Sequence, residues 1–170
     1  MASWYVGDRT STSAIEFLDD LKERLASRVQ LTSDGHRSYL DAVDTVFGRD
    51  IDYGQIVKTF SCSDLSPGRY SPPEIYSAKK AKLIGNPEMK DICTSHVESH
   101  NLTMRTHCRR LTRLTSGYSK KLENLKAGIG LYLGYYNYVR RHSSLRCSPA
   151  MASGIRKDFM NVSDLIDLAN

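Results

Sequence analysis

The sequence predicts an α/β fold, a sheet layered with helices on its flanks. Residues 13–25 and 36–47 carry apolar side chains at helical spacing. Residues 29–32 and 51–60 are short runs with β-branched and aromatic residues. The two kinds of segment alternate along the chain, which is the pattern of a layered α/β domain. A length of 170 residues suits one domain with a real core, and 40% hydrophobic with 25% charged residues excludes a disordered chain.

Each element has its own signal. Trp4, Tyr5 and Val6 form a short strand pattern that stops at Gly7. Ser13 and Glu16 stand at capping-box spacing, and Ala14, Phe17, Leu18, Leu21 and Leu25 give the stripe of an amphipathic helix. Val29–Thr32 reads as a short buried strand that ends in Ser33-Asp34-Gly35. A carboxylate at the C-terminal tip of a strand sits where open α/β sheets place ligands. The same Asp is also what a turn would use to cap the next helix. Tyr39, Leu40, Val43 and Phe47 form a second helical stripe over His36–Phe47, closed by Gly48, and Ile51–Phe60 reads as a strand.

Residues 61–92 read as a long irregular insertion, since Pro67, Pro72, Pro73 and Pro87 fall in it with Gly68 and Gly85. Its Lys79, Lys80 and Lys82 could touch a polyanion or simply be solvated. Thr94–Arg113 reads as one helix with a single acid, Glu98, near its start; Arg105, Arg109, Arg110 and Arg113 are its other charges. At about 3.6 residues per turn, Glu98, Asn101 and Arg105 share a face. The pattern suits a carboxylate that holds a cation against a phosphate backbone, or a solvated helix with a first-turn Glu favoured by the dipole.

Thr112–Gly117 reads as a break before a helix starting at Ser119, with Leu122, Leu125, Ile129, Leu133 and Tyr136 on one side. Tyr132, Tyr135, Tyr136 and Tyr138 fit packing better than base stacking. Arg140, Arg141, His142 and Arg146 close the ordered core as a basic knot, with His142 as a cation at a helix C-terminus. Residues 151–170 read as a tail.

Charge is unevenly spread. Residues 1–70 carry 8 Lys+Arg against 11 Asp+Glu, whereas residues 101–146 carry 10 against 1. A basic segment of this kind, with Lys120 and Lys121 in it, points to a polyanion, most often nucleic acid. A membrane surface is excluded as partner because no basic amphipathic helix with Trp or Phe anchors is present, and Ala127–Val139 is too short to span a bilayer. Cys62, Cys93, Cys108 and Cys147 have no metal-ligand spacing, and Asp8 and Arg9 interrupt the only candidate signal peptide. The expected setting is a reduced cytoplasm, with free thiols.

Running text then narrows the class. VGDRT, LTSDGHRSYLDAV, QIVKTF, GRYSPP, the TS-x-VE-xx-NLTMR run, RRLTRLTSGYSKKLEN and YYNYVRRHSSLRCSPAMA together resemble the DDE transposases of bacterial insertion sequences. More narrowly they resemble the transposase of the smallest such elements, in the variant with a longer insertion before the Glu. The resemblance covers nearly the whole chain. It implies an RNase H-like mixed sheet with flanking helices over residues 1–150, and three acids that hold two Mg²⁺ (or Mn²⁺) ions for DNA cleavage and transfer. Asp34 matches the second acid and Glu98 the third. Asn101, Arg105, Arg109, Arg110, Arg113, Lys120, Lys121, Arg140 and Arg141 would then lie along DNA, as transposon ends or target. The implied setting is bacterial and nucleoid-associated, and the implied partners are DNA and a second transposase copy, as homo-oligomer or full-length protein.

The first acid of the family precedes the strand ending in VGDR, so the expectation is a fold truncated at its N-terminus, with its first strands and the DNA-binding region missing. Asp8 belongs to the VGDR match and is not that acid. The family's Glu-Arg-Gln reads Glu98-Ser99-His100 here. A sheet without its central first strand exposes an edge, and marginal stability follows. The expected activity is therefore transposase-type but incomplete. The alternative is a non-enzymatic DNA-binding fragment, or an inhibitor of transposition, using residues 101–146. A complete nuclease using Asp8, and a chain with no activity, are the remaining readings.

Overall fold

A computed structural model describes residues 1–60, 75–113 and 115–168. It is a mixed α/β structure whose three-stranded sheet has the order β1-β2-β3, with β1 at Gln30–Asp34, β2 at Asp52–Phe60 and β3 at Ile75–Ile84. β1 and β2 run parallel, with Leu31 opposite Tyr53 and Ser33 opposite Gln55. β2 and β3 run antiparallel. The chain divides into two compact units, Ala2–Val97 and Met1 with Glu98–Asn170.

In the first unit, α1 (Ser11–Glu23) and α2 (Ser38–Phe47) supply the core. Ala14 and Leu18 of α1 pack with Ala42, Val43, Val46 and Phe47 of α2 and with Ile51 and Tyr53. These positions fall at helical spacing in α1 and α2, which is why the sequence stripes form helices here. Lys22 lies over the Phe47 ring and its ammonium donates to the Val46 carbonyl, so its stem covers the core while its charge caps a carbonyl. Gly48 ends α2 at a φ of 55°, a conformation open to glycine.

The first unit departs from the sequence pattern at four places. Trp4, Tyr5 and Val6 form no strand: no neighbour pairs with them, and Trp4 and Tyr5 are exposed. The N-cap of α1 is Thr10 rather than Ser13, and its hydroxyl accepts the Ser13 N–H. Leu40 is exposed, and Ala42 and Val46 take the core positions that the stripe assigned to it. The irregular insertion contains a strand: β3 pairs along β2, and Lys79, Lys80 and Lys82 lie on it. An edge strand laden with Lys reads as polar loop in sequence, and the same lysines discourage edge-to-edge pairing. Residues 61–74, which hold the GRYSPP text and Cys62, lie outside the described residues.

The second unit begins within α3 (Ser95–His107), at Glu98, and continues with a 3₁₀ turn at Arg109–Leu111, then α4 (Leu122–Gly134), a π-helical turn at Tyr135–Val139, α5 (Pro149–Ala152) and α6 (Val162–Asp167). The helix expected through Arg113 thus ends at His107. Cys108 leaves helical geometry with a ψ of 100°, and Arg109 and Arg110 fall in the 3₁₀ turn, with Arg113 beyond it. α4 begins at Leu122 rather than Ser119, and Leu122 is exposed. Ile129, Tyr132 and Leu133 face inward. Residues 149–168 pack on this unit: Met160 is buried and its N–H donates to the Tyr138 carbonyl, and Leu165 lies against Gly134. His142 places Nε2 3.1 Å from the Tyr136 carbonyl, at the C-terminal end of the π turn. No helix of the described residues is long and apolar enough to cross a membrane.

Candidate functional site: the Asp34 turn and the basic segment

Asp34 is the last residue of β1 and is exposed. Its Oδ1 accepts the His36 N–H at 3.2 Å, closing a turn in which the side chain stands in for a backbone acceptor. Beneath it, three polar side chains from paired strands converge. The Ser33 hydroxyl is 2.6 Å from the Tyr53 hydroxyl and donates to the Asp34 carbonyl at 2.9 Å. Gln55 Nε2 lies 3.4 Å from Ser33 Oγ, 3.4 Å from the Tyr53 hydroxyl and 3.5 Å from the His36 carbonyl. Tyr53 and Gln55 are two residues apart on β2 and so share the face that Ser33 occupies on β1.

The phenols register the Asp34 charge. Burial pushes the Tyr39 hydroxyl above its ordinary value, and the Asp34 carboxylate adds to the rise. Burial likewise raises Tyr53; its hydrogen bond with Ser33 opposes the rise and the Asp34 charge reinforces it. A negative charge nearby disfavours a phenolate, so both hydroxyls remain donors. Ser33, Tyr39, Tyr53 and Gln55 carry no sequence motif. The signal that could have found the last two is their i, i+2 spacing on a strand beside the one that ends in Asp34.

Glu98 stands in the first turn of α3 and is exposed, in the second unit. Asn101 and Arg105 follow it on the same helix; Asn101 is exposed and Arg105 half-buried. Arg105, Arg109 and Arg110 do not continue one helical face, because the 3₁₀ turn redirects the chain. Arg109 lies against Gly117, and Arg110 crosses Gly128 of α4 and donates to the Ser119 hydroxyl at 2.7 Å. Arg113 is an exposed turn residue. Lys121 occupies the N-cap of α4 beside Lys120, both exposed. Arg140 follows the π turn and is half-buried, and Arg141 is exposed. The second unit thus holds all nine basic and amide positions expected to face DNA.

An aromatic cluster forms around Tyr136 in that unit, from residues that no sequence motif joins. His100 and His142 meet the Tyr136 ring edge-on, with centroids 4.8 and 4.4 Å away. Desolvation holds the His100 imidazole below its ordinary pKa, with smaller contributions from the Met1 ammonium and His142.

Cys93, Cys108 and Cys147 are free thiols. Among the described residues no three His, Cys, Asp or Glu side chains are grouped to hold a metal ion. The fold and the two features define a mixed α/β protein with a braced acidic turn and a basic helical segment. No protein-family model, curated protein or solved structure matches the chain.

Proposed function

We propose that this chain is a transposase-family protein of DNA transposition, RNase H-like in fold, with Asp34 and Glu98 as two of the family's three acids. The observation that carries the reading is the TS-x-VE-xx-NLTMR text, which places Glu98 in the first turn of a helix that leads into the arginines. The position of Asp34 at a strand's C-terminal end supports it. Divalent cations, Mg²⁺ or Mn²⁺, would supply activation of the attacking hydroxyl and stabilisation of the leaving oxygen. The chain's own part is to present carboxylates and to hold the phosphate backbone. The resemblance matches two acids to this chain and leaves the first unmatched, so we expect DNA binding without strand cleavage from the chain alone.

Incubating the purified chain with duplex DNA and Mg²⁺ tests this reading. Binding with intact strands is expected. Mg²⁺-dependent cleavage that Glu98→Ala abolishes would make the chain a complete enzyme, and absence of binding at low salt would remove the transposase reading.

A second reading is a non-enzymatic DNA-binding protein that acts as an inhibitor of transposition. The exposure of Arg109, Arg110, Arg113, Lys120, Lys121 and Arg141 in one unit favours it. It requires that Asp34→Ala and Glu98→Ala leave both DNA binding and inhibition of an intact transposase unchanged.

A further inference from the structure

We infer that Tyr53 and Gln55 are positioning residues for Asp34, acting through the Ser33 hydroxyl and the His36 carbonyl. The purpose assigned to them rests on the reading of Asp34 as a functional acid; the geometry does not. If Ser33 donates its single hydroxyl proton to the Asp34 carbonyl, the Tyr53 hydroxyl must donate to Ser33 Oγ. The Gln55 amide then supplies N–H groups to this pair and to the His36 carbonyl. The Asp34 and His36 carbonyls are therefore tied to β2 side chains, the first through Ser33 and the second directly, while the Asp34 carboxylate itself takes the His36 N–H.

Position in the fold makes this more than packing. Tyr53 is fully buried and Gln55 is 6% exposed. Burying a hydroxyl and an amide costs free energy unless both are bonded, and an apolar pair of similar size would fill the same space. Here their bonds go to a turn that carries an exposed carboxylate at a strand tip. A carboxylate needed in a fixed direction is held by groups whose own rotamers packing has locked.

Nuclear magnetic resonance of the full chain tests the inference, comparing Tyr53→Phe, Gln55→Leu, Ser33→Ala and Ser33→Thr. Tyr53→Phe keeps the ring and removes only the hydroxyl. It should move the amide signals of Gly35 and His36 and speed their hydrogen exchange by about fivefold or more, the effect of one lost hydrogen bond. The amides of α1 and α2 should keep their rates. Ser33→Ala should reproduce the change and Ser33→Thr, which retains the hydroxyl, should restore the wild-type signals. A turn unchanged in Tyr53→Phe and in Ser33→Ala overturns the inference, as does a change spread equally over α1 and α2. Ser33 lies at the turn rather than in the core, so its variants decide the matter even if Gln55→Leu fails to fold. The readout uses no DNA and no metal. Its failure leaves the transposase reading standing, and absence of DNA binding leaves the positioning network standing.

Discussion

Ile92 lies over Gly54, so close that a Cβ on the glycine would stand 2.5 Å from Ile92 Cδ1 and 2.7 Å from its Cγ1. Ile92 is fully buried, which leaves it little room to yield. One face of β2 is covered by α1 and α2 through Tyr53; the other is covered at Gly54 by the segment that leads into α3. Gly54→Val should destabilise the first unit by about 1–3 kcal/mol, the usual cost of overpacking a core. Urea unfolding measures it, and Ile92→Ala in the same chain should recover part of the loss, since contacting residues couple. Additive losses would show that the two side chains do not compete for the same space.

Arg28 and Asp52 give the first unit a pH dependence. Arg28 donates to both oxygens of Asp52 at 2.9 Å, and the Asn86 N–H donates to one of them at 2.7 Å. The guanidinium bonds chiefly, and then the Asn86 amide, hold the Asp52 pKa at about 2. A carboxyl whose folded pKa lies below its unfolded one, near 3.9, stabilises fully above the unfolded value. The contribution is lost as pH falls from about 4 through about 2. The urea midpoint of the wild type should therefore fall more steeply over that window than that of Asp52→Asn. Equal slopes would mean that the bonds in the structure contribute nothing to stability.

Leu18 and Leu40 test which residues form the core. Leu18 is 1% exposed and Leu40 38% exposed. Leu18→Ala should cost about 2–5 kcal/mol through the cavity it leaves. Leu40→Ala should stay within about 0.5 kcal/mol of wild type. Thermal unfolding of the two variants ranks them, and a larger loss at Leu40 would contradict the packing of α1 on α2.

DNA binding should carry the signature of phosphate neutralisation. The logarithm of affinity is expected to fall linearly with the logarithm of salt, with a slope that Arg113→Ala and Arg141→Ala each reduce by about 1. Asp34→Ala should leave the slope unchanged. A slope near zero, read by fluorescence anisotropy across a salt series, would remove the basic segment as a DNA surface.

Arg146 has a φ of 59°, the left-handed region that a Cβ disfavours. Its N–H donates to the His142 carbonyl at 2.7 Å, a bond the tight turn requires. Arg146→Gly should stabilise the second unit by about 1 kcal/mol, seen as a higher unfolding midpoint. An unchanged or lower midpoint would mean that the Arg146 side chain offsets the strain with contacts of its own.

The sequence made α1, α2 and β2 legible because each pairs a dense apolar pattern with an end signal, Gly48 being the clearest. It also placed Asp34 at the end of a strand. β3 was hidden because an edge strand need not alternate: its lysines face solvent, and only pairing with β2 makes it a strand. Trp4-Tyr5-Val6 erred the other way, with strand propensity and no partner. The end of α3 was hidden because Arg109 and Arg110 suit a helix as well as they suit a 3₁₀ turn. The support beneath Asp34 could not be read because Tyr53 and Gln55 lie about twenty residues along the chain from Ser33 and look like ordinary strand residues. Only the register of β1 on β2 brings them there.

The order of the sheet, β1-β2-β3, is also the order of the chain. Among the described residues each strand pairs with its neighbour in sequence, so none of these strands must wait for a distant segment. On a ribosome, synthesis as far as Ile84 supplies β1, β2 and β3 together with α1 and α2 before any of the segment from Asn101 to Arg146 has been made. The stretch through Ile84, with 11 Lys+Arg against 12 Asp+Glu, is thus made before the ten cations of residues 101–146 that would attract its carboxylates.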